Sequence, residues 1–288
     1  MKKEPPLIVG IGSAIMDLLL QESDEFVSEG RIPKGGQLNV DWKEIDQHLK
    51  RSLKQPKIVP GGSACNTIVG LGRLGARARF IATRGKDDLG KQLETDLKKN
   101  NVEPCLATDP LPTGQVLSLV TPDAQRTMYT YLGAAAMIAP EHLVADFFKE
   151  AAIVHTEAYQ LFNEPAFRKV LERAHESGAL VSLDLANFTV IDLKRTLLED
   201  VLKDSVDIVI ANEDESRALT GLTDEKEAVK KLGETIRTAV VKMGKRGSWI
   251  CHSGKLTRVG IQGNGDATDT TGAGDLWNSG FLYGLAHD

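Results

Sequence analysis

Six short runs of near-continuous apolar, often β-branched residues recur along this chain, and most of them close on Gly, Asn, Asp or Glu. They are Leu7–Gly12 (LIVGIG), Arg79–Arg84 (RFIATR), Ala152–Glu157 (AIVHTE), Ala179–Asp184 (ALVSLD), Val206–Asn212 (VDIVIAN) and Ala239–Gly244 (AVVKMG). Unbroken apolar character, not period-2 alternation, marks a strand buried on both faces. Helix-compatible stretches come between and after them: Lys91–Asn101, Glu164–Ser177, Asp224–Arg237 and Gly272–Ala286. This alternation predicts an α/β fold, a mostly parallel sheet flanked by helices on both faces. A length of 288 residues suits two domains or one large one. No repeat, low-complexity tract or Gly/Ser linker divides the chain, so residues 1–288 read as a single Rossmann-like domain.

One region breaks the pattern. Gln115–Thr121 and Arg126–Gly133 are strand-like and are joined by Pro122-Asp123-Ala124-Gln125, which is turn chemistry. No helix follows to cover this hairpin, so it is expected to leave the main sheet. It would join the irregular segment of about residues 18–60 in a small β cap or lid, contributed by about 18–60 and 106–135.

The ends of the six runs carry a functional expectation. In an open α/β sheet, ligands bind at the carboxyl edge, where strand-to-helix loops gather. Gly12, Glu157, Asp184, Asn212 and Gly244 would stand on that rim. Any α/β fold also places turn residues there, so the rim alone does not decide between a site and a scaffold.

Glycine clusters sharpen the expectation. Asp269-Thr270-Thr271-Gly272-Ala273-Gly274-Asp275 leads into the apolar Leu276–Leu285. Glycines at the head of a helix leave outward-facing N–H groups at its positive end, an anion site. A carboxylate beside such a site makes sense if it accepts a hydroxyl proton next to a transferring phosphoryl group. The same residues would also serve a plain turn in which Asp275 assists the helix start, but that reading leaves two acids bracketing the glycines unexplained. Gly61-Gly62-Ser63-Ala64-Cys65-Asn66 has a similar character: it either approaches a polyhydroxylated ligand, Asn66 pairing with hydroxyls, or caps a helix in a tight turn. Gly70-Leu71-Gly72-Arg73-Leu74-Gly75 matches the dinucleotide pattern GxGxxG, yet it closes a helix-like segment instead of opening one after a strand. It reads as helix termination, which disfavours a dinucleotide-dependent oxidoreductase.

Composition excludes other classes. Lys plus Arg number 35 and Asp plus Glu 40, a net charge of −5 with no electrostatic footprint for nucleic acid or an anionic membrane. Cys65, Cys105 and Cys251 are scattered, with no CxxC spacing, which fits a reducing compartment and not a disulfide framework or zinc site. The longest apolar stretch, Leu7–Leu20, is too short to span a bilayer and no signal peptide is visible, so a cytoplasmic protein is expected.

In this order, the clusters resemble the ribokinase-like, or PfkB, carbohydrate kinases along nearly the whole chain. The resemblance rests on Gly12 through Asp17, on Gly61–Asn66 followed by Leu71–Gly75, on Asn212-Glu213-Asp214-Glu215, on Gly244-Lys245-Arg246-Gly247 and above all on Asp269–Asp275. Lys34-Gly35-Gly36, Thr121–Met128 and Leu132-Gly133 look most like the adenosine-kinase type. The resemblance implies transfer of the γ-phosphoryl group of ATP to a hydroxymethyl group of a sugar or nucleoside. Asp275 would be the base, and the main chain of Gly272, Ala273 and Gly274 the anion hole. Asp17, Gly62, Asn66 and Glu157 would hold substrate hydroxyls, and Asn187, Lys242, Gly244 and Gly247 would line the ATP site. Asn212 and Glu215 would organise Mg²⁺ and its waters, and Asp269 matches a position linked to a monovalent cation such as K⁺. Lids of this family pair edge to edge, which implies a homodimer. Lys242 is a departure, since that position more commonly carries Thr or Ser. The chain stops at Asp288, about one helix past the motif, where the family continues, so C-terminal helices are expected to be missing. A sugar- or nucleoside-binding homologue without transfer activity is the alternative this leaves.

Overall fold

Leu7–Ile11, the first apolar run, forms β1 and is buried at every residue because it runs through the middle of a large sheet. The computed structural model describes residues 4–263 and 272–287. After β1 come β2 (Ile15–Gln21), α1 (Asp24–Ser28), β3 (Gln37–Asn39), α2 (Trp42–Arg51) and β4 (Lys57–Gly61). The chain continues through α3 (Ser63–Leu74), β5 (Arg77–Gly85), α4 (Asp88–Lys99), β6 (Val102–Asp109) and the hairpin β7 (Gly114–Val120) and β8 (Arg126–Tyr131). Then follow β9 (Ala151–Glu157), α5 (Glu164–Ser177), β10 (Leu180–Asp184), α6 (Phe188–Asp204), β11 (Ile208–Asn212), α7 (Glu213–Thr220) and α8 (Glu225–Leu232). The last elements are β12 (Thr238–Lys242), β13 (Ser248–His252), β14 (Lys255–Val259) and α9 (Ala273–His287).

Among the described residues the main sheet has nine strands in the order β14-β13-β12-β11-β10-β9-β1-β5-β6. From β12 to β6 every pairing is parallel, and β13 and β14 add an antiparallel edge. Leu7, Val9 and Ile11 point to one face, where Val170 of α5, Leu198 of α6 and Val229 of α8 complete a core. Ile8 points to the other, packed with Ile68 of α3, Leu93 of α4 and Leu282 of α9. Each such aliphatic side chain contributes about 1.5–3 kcal/mol on burial. The alternation thus becomes an α/β layered fold, as the sequence implies. β6, β13 and β14 lack that apolar signature because they lie at or near the edges: only two of the eight residues of β6 are buried and it carries Pro104, and four of the five residues of β14 are exposed.

The hairpin does leave the main sheet. β7 and β8 join β2, β3 and β4 in a second sheet, ordered β3-β8-β7-β2-β4. Residues 18–60 are not irregular: they finish β2 and supply α1, β3, α2 and most of β4. Met16, Leu18, Leu20, Leu117, Leu119 and Tyr129 bury one face of this sheet together with Ile45 of α2, and the ring of His48 of α2 lies tilted at 40° against Tyr129, centroids 4.3 Å apart. The lid span given from residue 106 overlaps β6, which pairs with β5 through Asp109, so this second sheet takes up the chain only at Gly114. The helix expected over Asp224–Arg237 ends at Leu232, with Gly233 as its C-cap.

The GLGRLG run is helix, as its context implied. It forms the end of α3, which Gly75 closes in a left-handed turn (φ 90°). A Cβ on Gly70 would lie 2.2 Å from Ser279 Oγ, so this glycine sets how closely α9 packs on α3. That closeness brings the starts of the two helices together.

Candidate functional site

β1 turns to β5 and β6 on one side, while β9 through β12 build the other, so the strand order switches between β1 and β9. A crevice opens at the carboxyl ends of strands at such a point. Here it is closed by Glu157, the last residue of β9. Ser13 N–H donates to Glu157 Oε1 at 3.1 Å and Ala64 N–H to Oε2 at 2.9 Å. Glu157 is 1% exposed, and burial pushes its carboxyl above the ordinary range against the pull of those N–H groups. Each oxygen accepts from the main chain, so Glu157 ties the loop after β1 to the start of α3. Gly62 shares that junction: its φ of +93° and a Ser13 carbonyl 2.5 Å from where a Cβ would stand both require glycine.

Asp275 lies in the first turn of α9 and faces the first turn of α3. Ser63 Oγ donates to its Oδ1 at 2.8 Å and Asn66 Nδ2 to its Oδ2 at 2.9 Å. Ser63 and Asn66 stand three residues apart, hence on one helix face. Ser279 Oγ donates to the Thr67 carbonyl (2.8 Å) and Thr67 Oγ1 makes a longer contact to the Asp275 carbonyl (3.3 Å), locking the two helices. Gly272 has φ +68°, and no acceptor among the described residues takes the N–H of Gly272, Ala273 or Gly274. First-turn N–H groups have no intrahelical partner, which leaves them free for an anion. Burial raises the Asp275 carboxyl, moderated by Asn66 and Ser63.

Asp17, half-buried on β2, is the second carboxylate of the crevice, and it lies directly over Gly61. Burial pushes it up to about 6, with Arg126 opposing and Asp275 reinforcing the shift. Register places Val59 of β4, Val116 of β7 and Thr130 of β8 on the same sheet face as Asp17, with Leu19 and Met128 one step along. Leu19, Val59, Val116 and Met128 are partly exposed and belong to neither core.

Further along the rim, Lys242 ends β12 and donates from Nζ to Asp184 Oδ2 at 3.0 Å and to Asn278 Oδ1 at 3.1 Å. Asn187 caps α6, its Oδ1 accepting from Thr189 N–H at 2.7 Å. Gly244 and Gly247 bound the turn between β12 and β13, with φ of +51° and +83°. Arg246 inside that turn pins it to α7 and α8 by donating to Glu213 (2.6 Å) and Glu225 (2.7 Å).

Asn212 and Glu215 are brought together, but as a reciprocal helix cap. Asn212 N–H and Nδ2 each donate to one Glu215 oxygen at 2.8 Å, and Glu215 N–H returns a bond to Asn212 Oδ1 at 2.9 Å. Burial, then the charge of Asp184, pushes Glu215 up to about 7. Each of these three oxygens accepts one N–H within the cap, and an oxygen so engaged keeps a second lone pair, which is compatible with the expected part in organising Mg²⁺ and its waters. Among the described residues no group of three or more His, Cys, Asp or Glu side chains is placed to hold a metal ion. Asp269, assigned to a monovalent cation, lies outside the described residues. The sequence reading gave no role to Ser63, Asp184 or Asn278. The first sits inside the quoted Gly61–Asn66 run, and Asp184 was already marked as a strand end, whereas Asn278 carries no local signal.

A family model described as pfkB family carbohydrate kinase matches residues 30–288. Fructokinase-1 of Zea mays is 29% identical over 245 residues, covering 80% of this chain and 74% of that protein. The 5-dehydro-2-deoxygluconokinase of Geobacillus thermodenitrificans is 26% identical over 283 residues, covering 92% of this chain and 82% of that one. Among solved structures, the adenosine kinase of Sinorhizobium meliloti superposes with a TM-score of 0.87 at 29% identity, covering 99% of this chain and 88% of the other.

Proposed function

Since the chain belongs to the pfkB family of carbohydrate kinases, we propose that it transfers the γ-phosphoryl group of ATP to a hydroxymethyl group of a nucleoside, with Asp275 as the base. The observation that carries this reading is the Asp275 carboxylate, fixed by Ser63 and Asn66 beside first-turn N–H groups of α9 that no described residue accepts from. The acceptor oxygen attacks the γ-phosphorus, its proton passes to Asp275, and the bond to the bridging oxygen breaks to release ADP. The Gly272–Gly274 main chain, oriented before the reaction, stabilises the charge spreading over the transferred group at no reorganisation cost. Asp17 and Asn66 hold the acceptor's hydroxyls. Gly244, Gly247 and Asn187 border the nucleotide side. Mg²⁺ arrives with ATP, and no step here depends on a resident ion.

A nucleoside is favoured over a free sugar by the surroundings of Asp17. A sugar presents hydroxyls all round and wants polar walls, whereas one carboxylate beside Leu19, Val59, Val116 and Met128 suits a ligand with a hydroxylated end and a flat, weakly polar end. The likeness to an adenosine kinase supports the same choice. Three free, buried cysteines suit a cytoplasmic setting. The lid sheet ends in β3 and β4, whose open edges suit pairing with a second copy.

The test is a mass-spectrometric screen of nucleosides and sugars with Mg-ATP, with and without K⁺. A phosphorylated nucleoside formed faster than any sugar phosphate is expected. Preferential phosphorylation of a ketohexose would overturn the nucleoside assignment, and acceptor binding without any product would overturn the kinase reading.

A further inference from the structure

Asp184 ends β10 and is only 3% exposed. Lys242 reaches it across the intervening strand β11. Asn278, fully buried in α9, donates Nδ2 to the same Oδ2 at 2.5 Å, and Ala186 N–H donates to Oδ1 at 2.8 Å. Burial pushes the Asp184 carboxyl up, but the Lys242 charge, Asn278 and then His155 hold it below the ordinary range. Neutralising a buried carboxylate would be reason enough for a lysine. Such a pair is nonetheless a weak source of stability, since desolvation offsets most of its attraction.

Two features exceed that role. The ammonium lies 3.4 Å from where a Cβ on Gly274 would stand, hard against the main chain of the anion-binding turn. The Lys242 side chain also keeps 15% exposure, against 4% for Asp184, so the ion pair opens on the lysine side. An ammonium has three hydrogens. Asp184 and Asn278 take two, and no described residue takes the third. The cation is therefore aimed, partly open, and close to the main chain of Gly274.

We propose that Lys242 is a phosphoryl-binding group: its ammonium contacts the γ-phosphoryl oxygens of ATP and shares their charge with the Gly272–Gly274 main chain. Asp184 and Asn278 act through it, as positioning residues. Asn278 also belongs to the helix that carries Asp275, so the cation and the base are referenced to one rigid element. A lysine is a compact point charge suited to this use. The inference rests on the kinase reading and adds to it a charge in place of a hydroxyl.

The experiment is calorimetric titration, in magnesium buffer, of a β,γ-methylene ATP analogue and of ADP. The proteins are the wild type and the double variant Lys242→Met/Asp184→Asn, which removes both charges together and leaves no buried carboxylate unpaired. The analogue is expected to bind at least tenfold more weakly to the double variant, while ADP, which lacks the γ-phosphoryl group, stays within threefold. Equal weakening of both nucleotides, or weakening of neither, overturns the inference and leaves the kinase reading intact. A wild type that binds no analogue overturns the kinase reading itself. Should the double variant not fold, acylation of Lys242 in the wild type, followed by peptide mass spectrometry, decides the matter. Protection by the analogue but not by ADP is expected, and equal protection by both, or by neither, refutes the contact.

Discussion

Replacing Asp275 with Asn separates the chemistry of the site from its architecture. The carboxylate accepts from Ser63 Oγ at 2.8 Å and Asn66 Nδ2 at 2.9 Å, so an amide of the same shape must place its NH₂ against one of two donors. Facing Ser63 resolves this, because a hydroxyl rotates and accepts, while the amide oxygen stays with Asn66. One charge-assisted pair becomes two ordinary bonds, a loss of about 1 kcal/mol. For a chain of this size that lowers Tm by about 3 °C. The variant also relieves the burial that raises the native carboxyl, which opposes even that loss. Removing the base costs about 10²–10⁴ in kcat, equivalent to about 3–5 kcal/mol of transition-state stabilisation. Thermal melts and steady-state kinetics with Mg-ATP and the preferred acceptor, run on the same preparation, measure both. A variant that melts within a few degrees of the wild type and keeps kcat within tenfold would refute Asp275 as the base. A collapse of Tm together with activity would refute the claim that its neighbours can accommodate an amide.

Other expectations follow from the same geometry. Asp17 is raised from 3.8 to about 6 in the folded protein, so its contribution to stability is complete below about pH 4 and is lost as pH rises to 6, by up to about 3 kcal/mol. Substrate binding by the ionised carboxylate rises over the same window, so denaturant midpoints and kcat/KM should move in opposite directions with pH. Asp17→Asn should flatten the stability profile, and an unchanged slope would refute the assignment. Glu157→Gln sets an NH₂ against one of two buried N–H donors and should cost about 2–4 kcal/mol, read as a shift in the urea midpoint at constant m. A shift in acceptor KM with no change in stability would instead assign Glu157 to the substrate. Gly70→Val, with a Cβ 2.2 Å from Ser279 Oγ, should push α9 away from α3, cost about 1–3 kcal/mol and lower kcat, though it lies about two turns of α3 beyond Ser63. Normal turnover in that variant would show that the α3–α9 spacing does not control the site.

The sheet was legible where strands are buried on both faces. β1 and β9 to β12 announce themselves as unbroken apolar runs because helices cover them above and below. Edge strands such as β6 and β14 bury less, so their composition carries less signal. Asp275 and Asn66 stood out because their glycine-rich surroundings are local and distinctive, whereas Asp17 entered through the family resemblance. Glu157 was visible as a strand-end acid and Glu215 as part of the Asn212–Glu215 motif, but what each carboxylate touches was not. What a rim carboxylate touches depends on which loop arrives beside it. Ser13 and Ala64 settle that for Glu157 from 144 and 93 residues away. For Glu215 the answer was only three residues upstream, in a reciprocal cap with Asn212 that is a recognisable pattern in its own right. The Lys242, Asp184 and Asn278 cluster, with separations of 58, 36 and 94 residues, leaves no sequence pattern, since no two members share an element.

Three adjacent strands, β9, β10 and β11, thus deliver Glu157, Asp184 and, one turn past the last, Glu215 to one rim, and each carboxylate is neutralised differently. Glu157 takes main-chain N–H groups, Asp184 takes an ammonium, and Glu215 takes the amide of its own cap. A parallel sheet gathers its strand ends whether or not a ligand binds there, so charge at the rim is a demand of the fold before it is a resource for chemistry. Asp17 and Asp275 stand apart from the other three. Asp17 comes from the second sheet and Asp275 from the last helix, both outside the strands of the main sheet. They are the two acids the proposed mechanism uses, and a change in the spacing of the second sheet or of α9 would alter them first.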